Sequence, residues 1–207
     1  MPQSPLAFVT NYINSLGASA QRPGRVDAQS ALFVADRHSE GYESTYLGKS
    51  GFISNPTAVT LSAALATTYV GLCLSNPAGS GVNLELLEVA GALSVAPAAL
   101  TQLGLITGYS AAGIVTHTTA LTPQNALVGS SAAGLQGLVD SACTLVGTPV
   151  WSDVLAETPA ATSVVQFYRD IKGRLLIPPG GYVAIGADIA GPASGFRGSM
   201  MWSESPL

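Results

Sequence analysis

From Phe52 onward, Gly and Pro clusters interrupt short apolar runs roughly every 8 to 12 residues. That punctuation leaves few folds open. A chain cut this often builds short strands joined by tight turns, and it closes them as a sandwich or a barrel. "TTYVGLCLSN" reads as a strand, and "NPAGSG" as the turn after it. In that turn Pro77 sets one dihedral, while Gly79 and Gly81 permit positive φ. "VNLELLEVAGALSVAP" resumes a strand, with its alternation broken near Leu86 and Leu87, the pattern of a bulge; Gly91 marks a bend. "TQLGLITGYS", "AGIVTHTT" and "CTLVGTPVWSDVLA" continue the series. "SVVQFYRD" is expected to pair with "GRLLIPP" through a turn from Asp170 to Gly173. "GYVAIGADIA" and "GFRGSMMWSE" are expected to form a closing hairpin. Residues 120–138 show no clear alternation and read as a long loop or a small helix.

The first 48 residues are different. Ser4 and Pro5 suit a helix start, Leu6, Val9, Ile13 and Leu16 recur at helical spacing, and Gly17 suits a stop. So short a helix, with so narrow a stripe, is not stable alone in water and has to dock. A polar linker, "GASAQRPGRVDAQSA", follows, and then the charged "DRHSEGYESTYLGKSG". The chain thus divides into an N-terminal extended and helical arm, residues 1–48, and an all-β sandwich domain, residues 49–207. Leu6, Val9, Ile13 and Leu16 are the candidate contacts to another protein or protomer.

Charge is scarce and uneven. Charged residues make up 10% of the 207 residues, against about 25% in ordinary domains. No Lys or Arg occurs between Ser50 and Tyr168, and the net charge is −4. Phosphate binding needs clustered cations, which argues strongly against nucleic acid as a partner of the β domain; the arm, with only Arg22 and Arg25, is the one remaining candidate, and no nucleic-acid partner is expected. No segment reads as a signal peptide or a transmembrane helix, and no membrane partner is expected. A surface so low in charge fits burial against other chains, or a neutral surface of Ser, Thr and Gly.

No chemistry-bearing constellation emerges. "GYSAAG" has the outline of a nucleophile elbow with Ser110 as the nucleophile, but a strand-like run follows where the elbow needs a helix. His117 lies seven residues on, with no evident acid partner, and His38 sits in the charged arm. Glu85 and Glu88 fall on opposite sides of a regular strand, which argues against a glycosidase pair; Asp153 and Glu157 are as loosely related. Trp151 and Trp202 suit sugar stacking, or core and interface packing. "NPAGSG" lacks the Lys and the helix of a phosphate loop. Cys73 and Cys143 sit among apolar residues and read as buried free thiols, with no Cys/His spacing for zinc. No catalytic residue, metal or cofactor is expected.

"CLSNPAGSGVNLELLEVAGALSVAP" and "LLIPPGGYVAIGADIAG" together resemble the head decoration, or cement, proteins of tailed bacteriophages. The resemblance spans residues 67–204. It implies a jelly-roll-like β domain, a homotrimer, the major capsid protein as partner, and a place on the capsid exterior of the virion. It separates a cement protein poorly from a receptor- or carbohydrate-binding fibre knob, which is the alternative function. Uncharged closing strands suit a contact between protomers, and equally the centre of any sandwich.

Overall fold

The computed structural model describes residues 41–63, 65–111, 115–158 and 164–207. The chain divides into two units, residues 1–40 and 41–207. The arm stripe Leu6, Val9, Ile13 and Leu16 lies outside the described residues. The second unit is an all-β sandwich of two antiparallel sheets. Among its described residues the one helix, the short α1 (Tyr42–Tyr46), precedes β1 (Ser50–Ser54), which starts the first sheet.

The first sheet has five strands. β6 (Gln124–Asn125) edges β1, followed by β11 (Phe196–Pro206), β3 (Val82–Leu93) and β9 (Val165–Ile177). The second has six, running β5 (Thr116–Leu121), β7 (Leu138–Thr144), β2 (Thr68–Ser75), β10 (Gly181–Ala187), β4 (Gln102–Tyr109) and β8 (Val150–Glu157). Residues 126–137 form a looped connection, not a helix.

Between the sheets the alternation expected of strands is clear. Leu84, Leu86, Val89 and Leu93 of β3 point inward, with Phe196, Met200 and Trp202 of β11. Trp202, Leu74 and Leu84 converge on Gly137, where even a Cβ would approach them closely. Among the described residues, the members of this core run from Ile53 to Trp202. At roughly 1.5–3 kcal/mol for each large apolar side chain, its burial is the main favourable term.

The central strands of the six-stranded sheet are buried on their other face as well. Leu74, Val183 and Ile185 belong to the inter-sheet core, yet their alternating neighbours Cys73, Tyr182 and Ala184 are equally inaccessible. Cys73 and Cys143 are free, buried thiols. Burial pushes the Cys73 thiol up, and the neighbouring Cys143 adds to it.

Two expected hairpins are not formed. β10 and β11 lie in opposite sheets, joined by the loop around Pro192 and Gly195, so the closing pair is a crossing of the core. All seven residues of β10 are buried between β2 and β4, and their lack of charge follows from this central position. Nor do "SVVQFYRD" and "GRLLIPP" pair with each other. They are the two halves of β9, and both pair with β3: Leu93 to Glu88 oppose Val165 to Asp170, and Leu86 to Leu84 oppose Leu175 to Ile177. The residues between the halves bulge out, with Lys172 and Gly173 at φ 54° and 68°. The turn chemistry is real, but the long partner strand β3 absorbs it as a bulge.

Candidate functional site

The outward face of the five-stranded sheet is built as parallel rows across the strands. Ser54, Ser199, Ala90 and Tyr168 are cross-strand neighbours from β1 to β9. On one side lies the row Phe52, Met201, Glu88 and Asp170; on the other, Arg197, Ala92 and Gln166. The middle row is small until it reaches Tyr168, so the flanking side chains form the walls of a trough. Four strands at about 4.8 Å make it ~14 Å long, and rows two residues apart stand ~7 Å from one another. Two adjoining concavities of about 580 and 340 Å³ share Ser54, Ala90, Tyr168 and Ser199. Tyr168 is 64% exposed. Desolvation against the sheet and then the neighbouring Glu88 carboxylate push its hydroxyl up.

The bulge at Leu87 also changes the relation between the two glutamates. Because it resets the phase of β3, Glu85 and Glu88 both point outward, contrary to the expectation for a regular strand. They do not act as a pair: Glu85 accepts a hydrogen bond from Ser203 at 3.1 Å, and Glu88 stands beside Tyr168 in the trough.

A second arrangement lies at one end of the six-stranded sheet. His117 Nδ1 is 2.6 Å from Asp140 Oδ2, with Asp140 fully buried and His117 35% exposed. The sequence showed no acid partner for His117; strand pairing supplies one, since β5 and β7 are neighbours. Burial raises the Asp140 carboxyl, and the His117 hydrogen bond opposes that rise. A cavity of about 100 Å³ lies beside the ring, lined by Ser75, Asn76, Val115, His117, Leu138 and Gly181 among others. Ser75 does not complete a triad, because its hydroxyl donates to the Leu138 carbonyl at 3.4 Å. The Gly180 and Gly181 amides already donate to Asn76 and Pro178, which leaves no oxyanion hole among them.

The remaining candidates separate. Ser110 follows the end of β4, and its N–H donates to the Gly180 carbonyl; the next element is β5, a strand, so no elbow forms. Asp153 pairs with Arg169 at 3.9 Å rather than with Glu157. Trp151 packs over Gly104 on edge strand β8, whereas Trp202 is core, with its Nε1 donating to Glu204. Tyr42, Tyr46, Tyr109 and Trp151 are split between two elements of the fold: Tyr42 stacks on Tyr46 within α1 with ring centroids 5.9 Å apart, and Tyr109 and Trp151 belong to the six-stranded sheet. Among the described residues no group of three or more His, Cys, Asp or Glu is placed to hold a metal ion. No described helix is long and apolar enough to cross a membrane.

Sequence composition did not signal the trough, because its floor is made of Ala and Ser, which draw no notice in a chain rich in both. Comparison of the chain with protein-family models, with curated proteins and with solved structures found no match.

Proposed function

We propose that this chain is a structural virion protein that decorates and stabilises a phage head from the capsid exterior, as a homotrimer bound to the major capsid protein. The observation that carries the reading is the strand order. Set aside β5, β6 and β7, which only extend sheet edges. The eight other strands then fall in the orders first-eighth-third-sixth and second-seventh-fourth-fifth. That order supports the jelly-roll reading, an architecture recurrent in viral capsid and lectin domains. The link from fold to role is one of analogy, strengthened by the motif resemblance. A cement protein acts by mass action, binding the assembled shell and not its free subunits. It needs complementary surface and no reactive centre, and the proposal includes no catalysis, cofactor, nucleic acid or membrane.

The arm is the proposed anchor. Among the described residues the core runs from Ile53 to Trp202, and the proposal assigns Leu6, Val9, Ile13 and Leu16 to the shell contact. Three arms engaging one shell act at high effective concentration. Deleting residues 1–17 is expected to leave thermal unfolding of the β domain nearly unchanged and to weaken binding to empty capsids at least a hundredfold. Equal decoration by the truncated protein would place the contact on the β domain and remove the arm from the proposal.

The trough favours a second reading, a carbohydrate-binding knob. An exposed Tyr168 offers a stacking face. Glu88, Arg197 and Gln166 offer planar polar groups of balanced charge for a neutral sugar. Oligosaccharide binding lost in Tyr168→Ala, with capsid binding absent in the intact chain, would select this reading over the first.

A further inference from the structure

The two motifs that carry the resemblance, "NPAGSG" and "PPGG", are a hundred positions apart and meet in space. Asn76 N–H donates to the Gly181 carbonyl at 2.9 Å, and Gly180 N–H donates to the Asn76 carbonyl at 2.8 Å. The Asn76 side-chain amide donates to the Val82 and Ile177 carbonyls, both at 2.8 Å. One polar atom of Asn76 is left over. Its Oδ1 is buried and has no partner, although Asn76 is 2% exposed and lines the 100 Å³ cavity beside His117. A buried acceptor left unmet is costly and rare, so it calls for an occupant.

The rest of the cavity wall narrows what that occupant is. His117 Nδ1 lies 2.6 Å from Asp140 Oδ2; in the arrangement proposed, Nδ1–H donates to an ionised Asp140, which leaves Nε2 with a lone pair. Ser75 spends its proton on the Leu138 carbonyl and keeps its oxygen lone pairs. The Gly180 and Gly181 amides are committed elsewhere. Ser75, Asn76 and His117 all line the cavity, and in this arrangement Asn76 Oδ1, His117 Nε2 and Ser75 Oγ are the acceptors that they have left to offer. Behind the imidazole, the second oxygen of Asp140 also has no partner. Among the described residues no Lys or Arg forms an ion pair with it.

We propose that this cavity, between the Asn76 loop and His117, binds a primary ammonium group. An ammonium has three N–H donors and no acceptor, the complement of the three wall acceptors, and its charge offsets that of Asp140. Water meets the acceptors but brings acceptors of its own and no charge. An anion meets only lone pairs. The volume takes about three atoms of water size, enough for an ammonium and one or two carbons. Two sources present this chemistry: a small free amine, and the end of a lysine side chain from a partner protein, which the 35% exposure of His117 leaves room to enter.

The test uses the full chain with 15N-labelled histidine, following the His117 Nε2 resonance during titration with methylammonium, Nα-acetyl-lysine amide and tetramethylammonium at constant ionic strength. The His117 signal is assigned by substituting the other histidine, His38→Asn. Methylammonium is expected to move Nε2 saturably and to raise Tm, and tetramethylammonium, which has no N–H, to do neither. A response to the lysine amide assigns the site to a partner's side chain; a response to methylammonium alone assigns it to a free amine. Ser75→Ala, which removes one acceptor with little change of shape, is expected to weaken methylammonium binding about tenfold. No movement of Nε2 with methylammonium, or equal movement with tetramethylammonium, overturns the proposal.

Discussion

Glu204 brings a carboxylate into the core two residues after Trp202, and its surroundings explain why it is tolerated. Its oxygens accept from the backbone N–H groups of Gln136 and Gly137 and from Trp202 Nε1. One side chain thereby ties the end of the 126–137 loop to β11, and charged acceptors of this kind are stronger than neutral ones. Glu204→Ala is expected to cost about 2–3 kcal/mol in urea unfolding. It should also speed hydrogen exchange at Gln136 and Gly137; unchanged exchange there would show that the loop is held otherwise. Asp140 is the opposite case, a buried carboxyl whose folded-state titration lies above its ordinary value of 3.8. A raised carboxyl contributes stability in full below the unfolded value, and that contribution is lost as pH rises through the folded value. Asp140→Asn removes this loss. The stability of the variant relative to the native chain should therefore grow as pH rises above about 4. A difference independent of pH, measured by urea midpoints across that range, would contradict the assignment.

Among the elements, β9 shows how a local signal is overruled. Asp170 to Gly173 has turn chemistry, and Lys172 and Gly173 do adopt left-handed conformations. β3 is twelve residues long and offers both halves of β9 a ladder, so the turn becomes a bulge and the chain goes on in the same direction. A left-handed residue with a side chain costs about 1–2 kcal/mol. Gly173→Ala is expected to lose that amount, since the nearest atoms, on Glu85, are 3.7 Å or more from an added Cβ and conformation alone decides. Lys172→Gly should lose nothing, because the exposed Lys172–Asp170 contact at 3.6 Å is worth little. Equal destabilisation by the two changes, in matched urea unfolding curves, would show that side-chain contacts hold the bulge.

At the scale of the molecule, the buried position of β10 removes one reason for expecting an oligomer, since its apolar character serves the chain's own core. The expectation of a trimer rests instead on the 10% charge and on apolar side chains left exposed on neighbouring edge strands, Val150 and Val154 of β8 and Leu176 of β9. Sedimentation equilibrium at micromolar concentration is expected to give three times the chain mass. A monomer there would remove self-association from the proposed function.

The residues alone determined that this chain is β throughout its larger part, where its turns at Asn76–Gly81 and Pro178–Gly181 lie, that β3 carries a bulge at Leu87, and that its two cysteines are buried thiols. These are local matters: dihedral preferences and alternation act over a few neighbours. Which strand lies beside which was not legible, and every functional arrangement depended on it. The partner of His117 is 23 positions away, the trough takes one row of residues from four strands, and the Asn76 cavity needs turns a hundred positions apart. Only the closing of two sheets around one core brings these groups together, because burial of apolar area rewards contact without regard to separation along the chain.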